Sequence, residues 1–201
     1  MENTNTVVYK INFHSYWHIG SGLSGNTYAD LLVLKNDDFL PFIPGKTLKG
    51  LLREAAELLM PALNDAFPDD FIDVVFGMTP DDANLRDETY VSEGISFFSN
   101  AQLPENIAKE IMTKDDFRNI LYKTISSTAL DEGGIAKTNS LRQIEVCVPL
   151  TLFGMVHQFP SSEKYMQALK YCFSYIKRMG LQRNRGFGNC TLSLFKSDNI
   201  Q

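Results

Sequence analysis

The stretch Ile43-Pro44-Gly45-Lys46-Thr47-Leu48-Lys49-Gly50-Leu51-Leu52-Arg53 opens the first helix and decides how the rest of the chain is read. Leu48, Leu51, Leu52, Ala55 and Leu59 recur at helical spacing, after Pro44-Gly45 and before the stop at Pro61, which predicts an amphipathic helix of about four turns. Its apolar stripe needs a sheet to cover it. Upstream, Val7-Val8-Tyr9-Lys10-Ile11-Asn12-Phe13-His14 alternates apolar and polar from Tyr9 onward and predicts a strand that runs into glycines. Downstream, Gly94-Ile95-Ser96-Phe97-Phe98 and Glu145-Val146-Cys147-Val148-Pro149-Leu150-Thr151-Leu152-Phe153 read as two further strands. Pro149 cannot donate to a ladder, so the second of these is expected near a sheet edge. A second helix is expected over residues 162–179, with Ser161 or Ser162 as cap, a stripe of Tyr165, Ala168, Leu169, Cys172, Phe173 and Ile176, and a stop at Gly180. Cys190-Thr191-Leu192-Ser193-Leu194-Phe195 alternates cleanly as a last strand.

Strand, helix, two strands, helix, strand is the split βαβ order. It predicts an α+β, ferredoxin-like fold: an antiparallel sheet with helices on one face. The whole chain, 1–201, reads as a single domain, and the connections at approximately 61–90 and 102–143 are far longer than the usual roughly 4–6 residues, so they read as functional insertions. No repeat or low-complexity tract interrupts the order.

Of the 201 residues, 44% are hydrophobic and 21% charged, which is ordinary for a globular chain and excludes a disordered or collagenous one. The net charge of −5 excludes a uniformly basic protein, so any contact with nucleic acid must be local. Residues 65–93 hold nine acids against Arg86, a net of −8, whereas Lys177, Arg178, Arg183 and Arg185 form one basic spot and Lys46, Lys49 and Arg53 another. Cys147, Cys172 and Cys190 form no C-x-x-C pair, which argues against a disulfide framework or structural zinc and points to a reduced, cytoplasmic setting. The N-terminal residues are polar and acidic, and no apolar run approaches the roughly 18 residues of a membrane span.

Three segments could carry chemistry. Gly180-Leu181-Gln182-Arg183-Asn184-Arg185-Gly186-Phe187-Gly188 mixes glycines, which let backbone N–H groups approach a phosphate, with two arginine forks that grip its oxygens; a plain helix stop with exposed arginines would look the same. Lys46 and Lys49 lie in the first turn of a helix, where the dipole disfavours cations by roughly 0.3–1 kcal/mol each, and a bound phosphate would reverse that sign. The spacing is not that of a Walker A loop, so nucleotide hydrolysis is not indicated. Last, His18-Ile19-Gly20-Ser21-Gly22 leads by a glycine-bearing loop to a lone Asp30. One carboxylate specifies no reaction by itself: phosphodiester cleavage needs a metal ion or a base beside it.

In this order the segments resemble the RAMP superfamily of CRISPR-associated proteins, in particular the Cas7-like backbone subunits of type III effector complexes. The residues that carry the resemblance are His18-Ile19-Gly20-Ser21-Gly22, the Ile-Pro-Gly-x-x-Leu-Lys-Gly-x-x-Arg signature from Ile43 to Arg53, Phe76-Gly77, and the strand from Gly94 to Ala101. Ala129-Leu130-Asp131, Leu141-Arg142-Gln143-Ile144-Glu145 and Arg185-Gly186-Phe187-Gly188 complete the set. The resemblance implies a modified RRM-like fold whose thumb-like hairpin, here residues 124–144, wedges between guide and target strands. It implies CRISPR RNA and target RNA as ligands, bound through His18, Ser21, Lys46, Thr47, Lys49, Arg53, Arg142, Arg183, Arg185, Gly186 and Gly188. Phosphate contacts suit a protein that must accept any guide sequence.

By the same resemblance Asp30 is the catalytic residue of target-RNA cleavage, ahead of Asp37 and Asp38, and acts with a divalent metal ion such as Mg²⁺. Implied partners are a Cas10-like subunit, other RAMP proteins, a small subunit and further copies of the chain along the guide, with no membrane. Two relatives of this reading stay open: a non-catalytic terminal, or capping, RAMP subunit, and a stand-alone RNA-processing endoribonuclease of the superfamily, which would need His14 or His18 as an acid–base partner. A ferredoxin-like small-molecule enzyme is the distant alternative.

Overall fold

The computed structural model describes residues 4–24, 29–79, 93–113, 115–128, 131, 133–135, 137 and 140–195. The C-terminal half of the acidic stretch, 80–92, and the Ala129-Leu130 pair lie outside them, as do the side chains of residues 21–24. Alternation in β1 (Thr4–Phe13) buries Val7, Tyr9, Ile11 and Phe13 on one face. β1 pairs antiparallel with β7 (Thr151–Pro160) on one side and β8 (Cys190–Leu194) on the other, while β4 (Phe97–Phe98) pairs antiparallel with the outer edge of β7. The order β4-β7-β1-β8 is that of a ferredoxin-like core.

Two helices contact each other and contribute to the core beside that sheet. In α1 (Gly45–Leu59) the buried residues Leu48, Leu52, Ala55 and Ala56 follow the expected spacing. In α5 (Glu163–Tyr175) Ser162 caps the first turn, its hydroxyl accepting from the Tyr165 N–H at 3.5 Å, and Tyr165, Ala168, Leu169, Cys172 and Phe173 are buried. One contiguous core joins both helices to β1 and β7, with Phe67 and Phe71 entering from a 3-10 turn at Asn64–Ala66 and from α2 (Phe71–Val75). Among the described residues no helix is long and apolar enough to cross a membrane.

A second sheet, order β2-β3-β6-β5, is built from the early loop and the long central insertion. Its strands are β2 (Gly20–Ser24), β3 (Leu31–Val33), β5 (Tyr122–Ser127) and β6 (Arg142–Cys147). β5 and β6 form an antiparallel hairpin, but β3 runs parallel to β6, so the molecule is not antiparallel throughout. Two short helices, α3 (Glu105–Met112) and α4 (Asp115–Ile120), precede this hairpin.

Three expectations are corrected. The run 145–153 is two strands in different sheets; Pro149, lacking a donor, lies in the break between β6 and β7, and both strands are interior. The second helix ends at Tyr175 instead of Met179. Residues 177–179 leave it to pair with the chain at 188–190, through Cys190 N–H to Lys177 O at 2.9 Å and Met179 N–H to Gly188 O at 2.9 Å. In the stretch 94–98 only Phe97 and Phe98 form a strand, because Gly94 turns with φ 71° and packs its backbone against Phe76 and Gly77.

Gly154 lies in β7 where Tyr9 crosses it, and a Cβ there would overlap the Tyr9 ring and hydroxyl. Tyr9 is wholly buried in the core. Overpacking of this kind costs about 1–3 kcal/mol, so Gly154→Ala should lower the unfolding free energy by that amount, seen as a lower urea midpoint with an unchanged slope.

Candidate nucleic-acid interface

Trp17 and His18 fix the loop that follows β1. The Trp17 ring stacks on Phe13 at 4.5 Å and its indole N–H donates to Val148 O at 3.0 Å, while Trp17 and Cys147 exchange backbone hydrogen bonds. His18 is 1% exposed, and its Nδ1 lies 2.6 Å from Glu145 O. A carbonyl can only accept, so the Nδ1 position carries the proton. Nε2 is buried without a partner among the described residues. The glycine-rich loop then rests on this segment: Leu181 N–H donates to His18 O at 2.9 Å and Gly188 N–H to Tyr16 O at 2.7 Å. Positive φ at Gln182, Gly186 and Gly188 makes the loop compact around a 3-10 turn at Arg183–Arg185.

Beneath that loop the second sheet brings Asp30 to the base of the hairpin. Asp30 exchanges two bonds with Gln143: its N–H donates to Gln143 O at 2.7 Å, and its Oδ2 accepts from Gln143 N–H at 2.7 Å. One residue along, Leu31 is registered with Ile144, and Ser127 with Arg142. Glu145 reinforces the junction. Its Oε2 accepts from Val33 N–H at 3.0 Å, and its Oε1 pairs with Lys35 Nζ at 2.8 Å, itself 4.0 Å above the Tyr122 ring.

The outcome is an open cleft of about 460 Å³ lined by Asp30, Leu31, Ser127, Leu141, Arg142, Ile144, Gln182 and Arg185. Arg142 and Arg185 make no ion pair with any described residue. Two arginines and one aspartate therefore line a single cleft on a chain of net charge −5. Planar forks of this kind bind phosphate oxygens in pairs.

The other expected residues go elsewhere. Lys49 and Arg53 face a different flank of α1, in a cleft with Phe76, Glu93 and Phe97. There Lys49 Nζ donates to Glu93 O at 3.0 Å, and Arg53 donates to Gly77 O at 2.6 Å and pairs with Glu57 at 2.7 Å. Burial, then the Arg53 charge, lowers the Lys49 pKa, and Glu93 opposes them. Arg183 lines a third cleft, against Leu51 and Leu58 on the opposite flank of α1. The single cradle joining Lys49 to Arg185 is thus divided, because residues 49 and 53 leave a helix in nearly the direction opposite to 51 and 58. Lys46 is exposed at the helix mouth, and Thr47 is half-buried. His18 and Gly188 are buried and hold the loop from below. Ser127 and Gln182 were not legible as site residues: only strand register and a left-handed backbone at a non-glycine position bring them in.

The sequence profile of the RAMP superfamily matches residues 10–191. The chain belongs to this superfamily. No protein with a curated description matches the sequence of this RAMP chain. Among solved structures, a chain of the type III-B Cmr-beta complex in its apo state superposes with a TM-score of 0.67 at 15% identity, covering 97% of this chain and 98% of that one. The type III-B Cmr-beta complex bound to cognate target RNA gives 0.68 at 12%, covering 96% and 98%. A type IV-B CRISPR complex gives 0.61 at 14%, covering 98% and 92%. At these identities the likeness establishes a common fold, and it extends over the second sheet as well as the core.

Two glycines of the RAMP loop separate conformation from packing. Gly186 has φ 88° with open space around it, whereas at Gly188, φ 69°, a Cβ would overlap the Met179 carbonyl. Gly186→Ala should cost about 1 kcal/mol of stability from φ alone, and Gly188→Ala about 2–4 kcal/mol, both read from urea unfolding.

Proposed function

We propose that this RAMP chain is an RNA-binding subunit of a CRISPR effector ribonucleoprotein, which holds a guide strand by its phosphates and cuts the paired target at Asp30. The supporting observation is the cleft itself: Arg142 from the hairpin and Arg185 from the glycine loop flank Asp30 without ion-pair partners among the described residues. Arginine contacts to phosphate oxygens position a strand without reading its bases. The hairpin β5–β6 rises from the same cleft and is suited to separate one nucleotide from its neighbours.

One oxygen of Asp30 accepts from Gln143 N–H, and the other accepts no hydrogen bond from a described residue. Among the described residues no group of three His, Cys, Asp or Glu side chains gathers as a metal cage. A single carboxylate oxygen fits Mg²⁺, which keeps waters and takes further ligands from substrate phosphates. Asp30 would be its ligand here, and the ion would supply charge neutralisation at the phosphate undergoing attack. The protein's own part is to orient that phosphate with Arg142 and Arg185 and to hold Asp30 fixed against β6 through Gln143. A stand-alone nuclease with a histidine partner has less support: His14 Nε2 is 2.8 Å from Thr191 Oγ1, and neither His14 nor His18 lines the cleft.

Arg142→Ala with Arg185→Ala should weaken binding of single-stranded RNA at least about 10-fold, and should lower the salt slope of log K by about 0.7 for each phosphate that is no longer neutralised. Unchanged affinity and slope in filter binding would reject the cleft as the RNA site. Asp30→Asn keeps an oxygen to accept from Gln143, so it should retain stability and target binding while cutting disappears. Asp30→Ala should also destabilise the β3–β6 junction. Cutting by Asp30→Asn at the wild-type sites would assign the chemistry elsewhere and reject Asp30 as its residue.

A further inference from the structure

Arg183 and Arg185 sit on one 3-10 turn yet line different clefts. The cleft of Arg183 lies between α1 and the end of α5 and encloses about 350 Å³, within the roughly 300–1,000 Å³ of small-molecule sites. Leu51, Glu54, Ala55 and Leu58 recur at the spacing of one helix face and form its α1 wall. Tyr175, the last residue of α5, belongs to the other wall and is 50% exposed, so a planar face is open to a ligand. Neither Asp30 nor Arg142 lines this groove, and its occupancy does not require RNA in the other cleft.

The polar groups of the groove are sorted by sign. Glu54 is the one acid in the lining, and neither it nor Lys177, Arg178 or Arg183 makes an ion pair with a described residue. Arg178 is used within the fold: its Nη1 donates to Arg183 O at 2.8 Å and ties the turn to the chain that leaves α5. Lys177 and Arg183 remain to meet an anion, and the Arg183 fork suits phosphate oxygens. Asn184, also in the lining, adds a neutral amide with two donors. A ligand that fits must therefore offer donors to Glu54, a flat ring to Tyr175 and an anion to the cations.

We propose that this groove binds a guanosine 5′-phosphate group, with the base on Tyr175, its N1–H and 2-amino group donating to Glu54, Asn184 donating to O6 or N7, and the phosphate held by Lys177 and Arg183. Stacking on an aromatic ring accepts any base, so the choice falls to the hydrogen bonds. Guanine carries two adjacent donors that match the two oxygens of a carboxylate. Adenine places the N1 lone pair where guanine has N1–H, and an acceptor set against a carboxylate is repelled. The same chemistry belongs to a free nucleotide and to a guanosine within an RNA strand.

Calorimetric titration of the full chain should show guanosine 5′-monophosphate binding at least about 10-fold tighter than adenosine 5′-monophosphate. Inosine 5′-monophosphate, which lacks the 2-amino donor, should fall between them. Glu54 is exposed on α1, so Glu54→Gln should keep the fold while it abolishes the guanine preference. Tyr175→Ala should weaken all three nucleotides, and Arg183→Ala should bring the monophosphate toward the affinity of unphosphorylated guanosine. An oligouridylate carrying one guanosine, set against plain oligouridylate, separates the sources: a Glu54-dependent preference there without binding of the monophosphate assigns the site to a strand, and the reverse assigns it to the free nucleotide. Equal affinity for the guanosine and adenosine monophosphates, a guanine preference that survives Glu54→Gln, or no Glu54-dependent binding from either source overturns the proposal.

Discussion

The parallel pairing of β3 with β6 is the constraint from which the cleft follows. Asp30 and Gln143 exchange two hydrogen bonds, and Glu145 adds a backbone acceptor for His18, a side-chain acceptor for Val33 and an ion pair to Lys35. Residues 110 or more positions apart are thereby held at hydrogen-bond distance. Net energies per bond are only about 0.5–1.5 kcal/mol, rising to about 1.5–3 for charged acceptors, so the junction depends on their concerted formation. Carboxylate and arginine can share a cleft because this junction is in place.

His18 shows how a residue can serve a site without facing it. Its ring fills the space between the glycine loop and β6, its proton directed to Glu145 O, its own carbonyl accepting from Leu181. An imidazole that is 1% exposed cannot touch a polymer lying on the surface. It sets the height of the loop that presents Arg185. Lys49 and Arg53 are likewise engaged inward, tying α1 to the carbonyls of Glu93 and Gly77, and a phosphate in that cleft would have to share or displace those bonds.

Charge is distributed to the same end. A molecule of net −5 repels a polyanion at long range, so binding must come from short-range contacts where cations have no internal partner. Arg142 and Arg185 meet that condition among the described residues. Among the clefts described, the one at Asp30 combines these arginines, a carboxylate and apolar residues at the root of a hairpin.

Local pattern alone determined the helix from Gly45 to Leu59, the cap at Ser162, the alternation of β1 and β8 and hence the ferredoxin-like order, because each depends on contacts a few residues apart. The resemblance to the RAMP superfamily also singled out Asp30, Arg142 and Arg185. Tertiary structure decided which residues stand together. Pro149 divides one apolar run between two sheets, the end of the second helix unwinds to pair with residues 188–190, and the basic residues of α1 leave the helix on a flank away from the loop. Those outcomes follow from strand register, helix azimuth and loop packing in the folded chain, and the register that builds the cleft pairs Leu31 with Ile144 across more than a hundred residues.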